Sequence, residues 1–486
     1  MEKPMKRSVL FPISALSLFL NSFIFAADLK PAVDQLLDTA GGQAIAAPEP
    51  SRSPLSSLAA SDWKAAANRY SSRNFTPAKQ RRIDVPGSEL VILQGFHWYA
   101  DNYWLHPAGG WWGTLAQKAP EVAASGFDLI WFPPVSIGSY YPREWYNLDS
   151  QWGKKDMLLN AVKAMHKAGV KVLADVVLNH RNGSTNWIDF KSPDWPSNVV
   201  VNNDEVWSQP DYAALPRALY PDEGQGDFGC RDLDHKNPLV QEDTKVFMRW
   251  LKNDIGFDGW RYDMVKGYAP SHVMDYNVAS SPIFTVGEFY DTDRQLVSNW
   301  IDGTDNSPGR ANASTAFDFT THYAIVGAVE TERYELLNDN GRPSGLIGWW
   351  PAKSVTYVES HDTSPRDPNF IAAASQEYKT QRLVGYAYIL THPGIPCVFW
   401  PHFFDWGQPY HDAITKLISI RKSAGITSTS PMQILEATNG LYAATIAGKN
   451  KQLVVKLGRN WGWNPGDGWM LEASGERYAV WSRPIK

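Results

Sequence analysis

The chain has 486 residues, and 51 acidic against 46 basic side chains give a formal net charge of −5. At roughly 150 residues per domain, that length predicts about three domains, or one large barrel with appendages. The 43% apolar and 20% charged content excludes a disordered chain and lends no support to wrapping of nucleic acid, and two cysteines exclude a disulfide scaffold or a thiolate zinc cluster.

Lys3, Lys6 and Arg7 precede an uncharged run from Ser8 to Ala27 that ends on Ala26-Ala27. A basic start, an apolar middle and small residues at the exit describe a secretory signal over 1–27. The run is about 20 residues, so an uncleaved anchor is the alternative, although Pro12 and Asn21 interrupt it. The expected mature protein is exported, to the periplasm or beyond, without stable membrane association. Residues 28–85 are rich in Ala, Ser and Pro with weak periodicity, which predicts a linker or loosely packed extension with helix around Val33–Asp38 and Asp62–Tyr70.

From Leu90 onward, short apolar runs alternate with amphipathic stretches at a βα spacing. The runs are Val91–Leu93, Leu129–Phe132, Lys171–Ala174, Gly259–Tyr262, Phe284–Val286, Ala316–Phe319, Val355–Val358 and Pro396–Phe399. Helical patterns such as Asp156–Lys167, Val240–Asn253 and Gln376–Leu390 fall between them. The fold class is therefore α/β: a (β/α)8 barrel over 86–180 and 238–423, with its site at the C-terminal ends of the strands. The long Pro-, Asp-, Asn- and Gly-rich connection 181–237 predicts an inserted subdomain, and 424–486 a small antiparallel β domain.

Polar residues cluster where the buried runs end. Asp175, Asn179 and His180 follow the third run, Arg261 and Asp263 the fourth, Glu288 the fifth, and His361 and Asp362 the seventh. Singly, each acid reads as a salt-bridge partner or a helix cap. Together around one barrel mouth, like charges are costly unless something uses them. Two carboxyls flanking a glycosidic bond can serve as nucleophile and acid/base. Arg261 two residues earlier predicts an ionised Asp263, whereas the apolar run Thr285–Phe289 predicts a raised pKa and a proton-donating role for Glu288. The 22 tryptophans outnumber tyrosine and phenylalanine, which fits either a large aromatic core or flat faces for stacking on sugar rings.

Asp175–His180, Gly256–Asp263, Val286–Glu288 and Val358–Asp362 resemble, in order and spacing, the four sequence regions of the α-amylase family, glycoside hydrolase family 13. Leu93–Trp98, Asp232–Pro238, Lys266–Tyr268 and Tyr388–Pro396 are similar to plant-type α-amylases and bacterial maltotetraose-forming amylases. The resemblance implies a retaining α-1,4-glucan hydrolase with Asp263 as nucleophile, Glu288 as general acid/base and Asp362 as the third acid on the sugar hydroxyls. Arg261 then orients the nucleophile, His180 and His361 hydrogen-bond the glucose at the cleavage point, Tyr140 (or its neighbour Tyr141) stacks on it, and Lys266 touches the leaving-group side. A structural calcium ion, Ca2+, is implied, held by Asn179, Asp232, the Gly267 carbonyl and Asp227; Asp227 and Asp222 read equally as solvated loop acids. The implied partner is a neutral glucan and the implied state a monomer.

Three departures stand out. Glu359-Ser360 replaces the usual Asp-Asn, Ser139 stands where glycine is common, and the extension 28–85 has no family counterpart. Cys230 and Cys397 fit two thiols better than a bridge, though a bridge stays open in an exported protein. Trp111-Trp112 and Trp349-Trp350 are candidates for extra glucan contact or for packing. An exo-acting maltotetraose-forming enzyme, a 4-α-glucanotransferase and a non-catalytic glucan-binding protein are the alternatives. The last would normally lack one of the three acids.

Overall fold

The apolar runs fold as short, fully buried strands, as a parallel sheet covered by helices requires. The structure, a computed structural model, describes residues 57–77, 85, 87–101, 109–226, 229–310, 312–367 and 373–485. The expected signal over 1–27, the helix around Val33–Asp38 and most of the segment 28–85 lie outside the described residues. The strands are β1 (Ile92–Gln94), β2 (Leu129–Phe132), β3 (Lys171–Val176), β4 (Gly259–Tyr262), β5 (Thr285–Gly287), β6 (Thr315–Phe317), β7 (Ser354–Tyr357) and β8 (Ile395–Phe399). Each pairs in parallel with its sequence neighbours. Ile92 of β1 sits beside both Leu129 and Cys397, which closes the barrel.

Helices separate the strands: α2 (Gly110–Ala124), α3 (Lys155–Ala168), α4 (Pro238–Trp250), α5 (Pro270–Ser280), α6 (Arg294–Gly303), α7 (Phe319–Thr331), α8 (Gln376–Thr391) and α9 (Gln408–Ala424). The sixth strand stops two residues earlier than the apolar run suggests. Asp318 leaves the ladder to cap α7, accepting from the Thr321 N–H at 2.9 Å, and also takes the Ile347 N–H and the Ser354 hydroxyl.

Part of the supposedly loose extension is ordered against the barrel. Helix α1 (Ser57–Tyr70) buries Ala66 and Tyr70 in the main core. The Tyr70 hydroxyl donates to Asp254 at 2.6 Å, and Arg249 of α4 donates to the Tyr70 carbonyl at 2.7 Å. Small alanines carry most of its inward face, which is why its apolar period is faint in the sequence.

In the described part of 181–237, the chain has short 3-10 turns (Ser197–Val199 and Glu205–Ser208) and a two-stranded pair, His180–Arg181 with Arg231–Asp232. That pair ties the connection directly to the residue after Asn179. At the C-terminus, β9 (Met432–Thr438), β10 (Leu441–Ala447), β11 (Lys451–Leu457), β12 (Met470–Gly475) and β13 (Tyr478–Pro484) form one antiparallel sheet in the order β9-β10-β11-β13-β12. The last two strands, β12 and β13, form a hairpin. Strand β9 escapes the sequence pattern because it is an edge strand with neither face deeply buried. Cys230 and Cys397 are buried thiols with no disulfide between them.

Candidate active site

The ends of β3, β4, β5 and β7 deliver their polar residues to one cleft of about 620 Å³. The backbone of the acids is an extension of the barrel ladder. The Asp263 N–H donates to the Val176 carbonyl at 3.1 Å, and the Glu288 N–H donates to the Tyr262 carbonyl at 2.9 Å. Gly287, just before Glu288, lets the Trp300 indole pack against the strand where a Cβ would overlap it. Both acids are thereby fixed on rigid elements.

Arg261 organises the floor. Its guanidinium is fully buried, and Nη1 reaches Asp175 at 2.9 Å and Asp263 at 2.6 Å while Nη2 reaches Glu288 at 2.9 Å. The Met264 N–H donates to the same Glu288 carboxylate at 3.1 Å. One cation therefore faces three carboxylates.

This changes the electrostatic expectation for both acids. Burial pushes the Asp263 carboxyl well above the ordinary range, the Arg261 cation opposes this, and the Glu288 and Asp175 charges reinforce it. Counting Arg261 alone gave the opposite sign, because the guanidinium is shared and the site is dry. Burial likewise pushes Asp175 up to about 6 against the pull of Arg261. Glu288 does not sit in the apolar setting its sequence neighbours suggest: it faces a guanidinium and a backbone N–H.

Asp362 stands at the rim. His361 Nε2 lies 3.2 Å from one of its oxygens, and Arg366 donates to the other at 2.8 Å. Gln94, at the end of β1, hydrogen-bonds His361 Nδ1 at 3.0 Å. Burial, with Arg261 nearby, holds the His361 imidazole well below its ordinary pKa. A neutral ring accepting from the Gln94 amide at Nδ1 donates at Nε2, which fits the contact to Asp362.

Tyr140, and not Tyr141, is the ring that belongs to the floor. It stacks on His361 (5.2 Å between centroids, 15° between planes), and its hydroxyl donates to Asp175 at 2.9 Å. Tyr141 is 56% exposed. Ser139, before it, adopts φ 54°, the left-handed conformation that makes glycine common at such a place. His180 is buried, with Nε2 2.9 Å from the Tyr140 carbonyl. Lys266 lines the cleft and pairs with Asp291 at 2.8 Å.

Oxygen donors gather beside this floor. Asn179 is buried, its amide donates to Asp232 at 3.2 Å, and Gly267 approaches so closely that a Cβ would overlap the Asn179 amide. A Cβ on Gly226 would press on the Asp232 carboxylate and stand 3.2 Å from Asp222. Asp227 lies outside the described residues. Among the described residues no group of three or more His, Cys, Asp or Glu is arranged for a metal. The set formed by Asn179, Asp232 and Gly267 draws instead on amide, carboxylate and carbonyl oxygen, the donors a hard cation takes.

The departure at Glu359 and the tryptophan pairs find their explanation here. Glu359 turns away from the cleft: Arg382 donates to it at 2.6 Å, His402 lies 3.1 Å away and the Tyr378 hydroxyl also donates to it. Trp111 and Trp112 are core residues at 2% and 0% exposure, whereas Trp349 is exposed under the Arg294 guanidinium.

Asp175, Gln94 and Trp98 were not identified as site residues by sequence reasoning. Asp175 holds both Arg261 and Tyr140, and the Trp98 ring lies 5.3 Å from Tyr140 and 5.1 Å from His361. Their signal was present, since Asp175 opens one family region and Gln94 and Trp98 lie in Leu93–Trp98.

A closed barrel whose strand ends bring three carboxylates to one guanidinium, with a fourth beside an aromatic floor, fits a glycoside hydrolase. The comparisons specify which. Residues 77–211 match the alpha amylase catalytic domain and residues 423–482 the alpha-amylase C-terminal beta-sheet domain. The chain is 35% identical to the probable alpha-amylase 2 of Arabidopsis thaliana, over 83% of this chain and 96% of that one. It is 31% identical to a glucan 1,4-alpha-maltotetraohydrolase of Stutzerimonas stutzeri, over 78% and 70%. It belongs to the α-amylase family. The alpha-amylase of Geobacillus thermoleovorans, solved with acarbose, shares the fold at a TM-score of 0.59 and 16% identity, covering 83% of this chain and 99% of that one.

Proposed function

We propose that the protein hydrolyses α-1,4-glucosidic bonds within starch, glycogen and maltodextrins, with retention at the anomeric carbon. The observation that carries this reading is the Arg261 guanidinium joining Asp263 and Glu288 at the cleft floor, with Asp362 at its rim. Two carboxylates on neighbouring nitrogens of one guanidinium leave little room for a water between them, which favours the closely spaced, retaining arrangement.

In the reaction, the Asp263 carboxylate attacks the anomeric carbon while Glu288 gives its proton to the departing glucosyl oxygen. A covalent glycosyl ester forms and the leaving-group sugar departs as an alcohol. Glu288, now a carboxylate, takes a proton from water, whose oxygen displaces Asp263 from the same carbon. Asp362 holds sugar hydroxyls, the Tyr140 ring packs against the sugar, and His180 and His361 hydrogen-bond it. Arg261 holds Asp263 in line, and Lys266 meets the leaving-group side.

Asn179, Asp232, the Gly267 carbonyl and Asp227 would hold a calcium ion, which supplies structural tension between 181–237 and the ends of β3 and β4. The basic start and apolar run over 1–27 support export, and the exported protein acts as a monomer on an uncharged polymer. The domain limits are those read from the sequence: 28–85 before the barrel, 181–237 inserted in it and 424–486 after it.

Chromatography of early products from a long linear α-1,4-glucan tests this reading, with Asp263→Asn as the blank. A spread of maltooligosaccharides absent from the blank is expected. A single short product from the outset would mean exo action, and no product would end the hydrolase reading.

A further inference from the structure

Arg366 follows the last family region by four residues and belongs to none of the motifs. It nevertheless reaches into the cleft. Its guanidinium lies 4.5 Å from the centre of the Trp98 ring and donates to Asp362 at 2.8 Å, and the Tyr99 hydroxyl donates to its backbone carbonyl. The contact thus joins the segment after β1 to the segment after β7, over the end of β8 that lies between them in the barrel.

What Arg366 covers has the chemistry of a sugar platform. Trp98 offers an indole face beside Tyr140 and His361, and its ring N–H is buried without a hydrogen-bond partner. Asp362 offers acceptors, yet one of its oxygens is engaged by His361 and the other by Arg366. A flat face, an unused donor and a carboxylate together match the apolar face and hydroxyls of a glucosyl ring. The Arg366 side chain is 60% exposed, so neither its ion pair nor its ring contact is strong enough to resist a competing ligand.

We propose that Arg366 caps the glucosyl platform of Trp98 and Asp362, so that a glucan chain must displace its guanidinium to seat the glucosyl unit at the cleavage point. The inference rests on the α-glucan reading above and concerns the same cleft. It makes occupancy of the cleavage point depend on one exposed side chain. Lysine cannot substitute fully, because an ammonium pairs with Asp362 but does not lie flat on the indole.

The test uses maltoheptaose labelled at its reducing end. Arg366→Ala is expected to lower KM by about 3- to 10-fold, the scale of one exposed ion pair and one exposed ring contact. Its kcat/KM should rise by a similar factor, and Arg366→Lys should fall between. A second readout avoids turnover: calorimetric binding of maltoheptaose to Glu288→Gln against Glu288→Gln/Arg366→Ala, where the double variant should bind about 3- to 10-fold tighter. Unchanged or weaker binding, or a lower kcat/KM, overturns the capping role. Failure of the hydrolase reading is seen separately, as wild-type protein that cleaves maltoheptaose no faster than Asp263→Asn.

Discussion

Two buried carboxylate clusters, one around Glu359 just after β7 and one around Arg261 at the ends of β3, β4 and β5, are balanced in opposite ways. Around Glu359, an arginine, a histidine and a tyrosine serve one acid, and the neighbouring Arg382 charge draws its pKa down to about 2 despite burial. Around Arg261, three acids share one cation, and both Asp263 and Asp175 are pushed up. The first cluster is satisfied and faces away from the cleft. The second is short of positive charge and lines it. Burial alone therefore does not mark a catalytic acid; incomplete compensation inside a cleft does.

The sharpest way to break this contrast is to remove one acid from each cluster. Asp263→Asn is expected to cut hydrolysis by about 10⁴-fold or more, with the melting temperature nearly unchanged. Glu359→Gln should do the reverse. It strands Arg382 and His402 in the interior and is expected to cost about 3 kcal/mol of stability, measured by denaturant unfolding, while the folded fraction keeps activity. Comparable activity losses in both variants would erase the distinction.

The pH dependence separates the clusters by sign. Glu359 has a folded pKa below its unfolded value, so its contribution to stability is full above the ordinary 4.5 and is lost as pH falls through about 2. The stability gap between wild type and Glu359→Gln should shrink over that window. Asp263 is shifted the other way, so the acid limb of kcat/KM should lie above the ordinary carboxylate range. Asp175→Asn leaves Arg261 to fewer acids and should move that limb to lower pH. A limb that stays in place would show that Asp175 does not compete for the cation.

How much of this was legible in the sequence depended on what each residue answers to. The strands and the three acids were legible because buried parallel strands are continuous apolar runs and the acids follow them at family spacing. Asp318 shows the limit. It ends an apolar run just as Asp263 does, yet caps α7, and only its tertiary partners tell the two apart. The sign of the Asp263 shift was illegible for a related reason: Arg261 is adjacent in sequence, whereas Glu288 and Asp175 reach it only through the closed barrel. Helix α1 was faint because alanine faces carry little period, and Glu359 was misleading because its partners come from α8 and the turn after β8.

A smaller effect tests the oxygen-donor set. Exhaustive chelation is expected to lower the melting temperature by about 5 °C or more before it alters early rates, as loss of a ligand bound only by the folded state requires. An unchanged melting curve would remove calcium from the account.

The central claim is that Asp263 and Glu288 act as a retaining pair on one guanidinium. Its most direct measurement is proton NMR of the first reducing ends released from a maltodextrin, taken before mutarotation and with Asp263→Asn as the blank. The account predicts the α-anomer. The β-anomer as first product would contradict it.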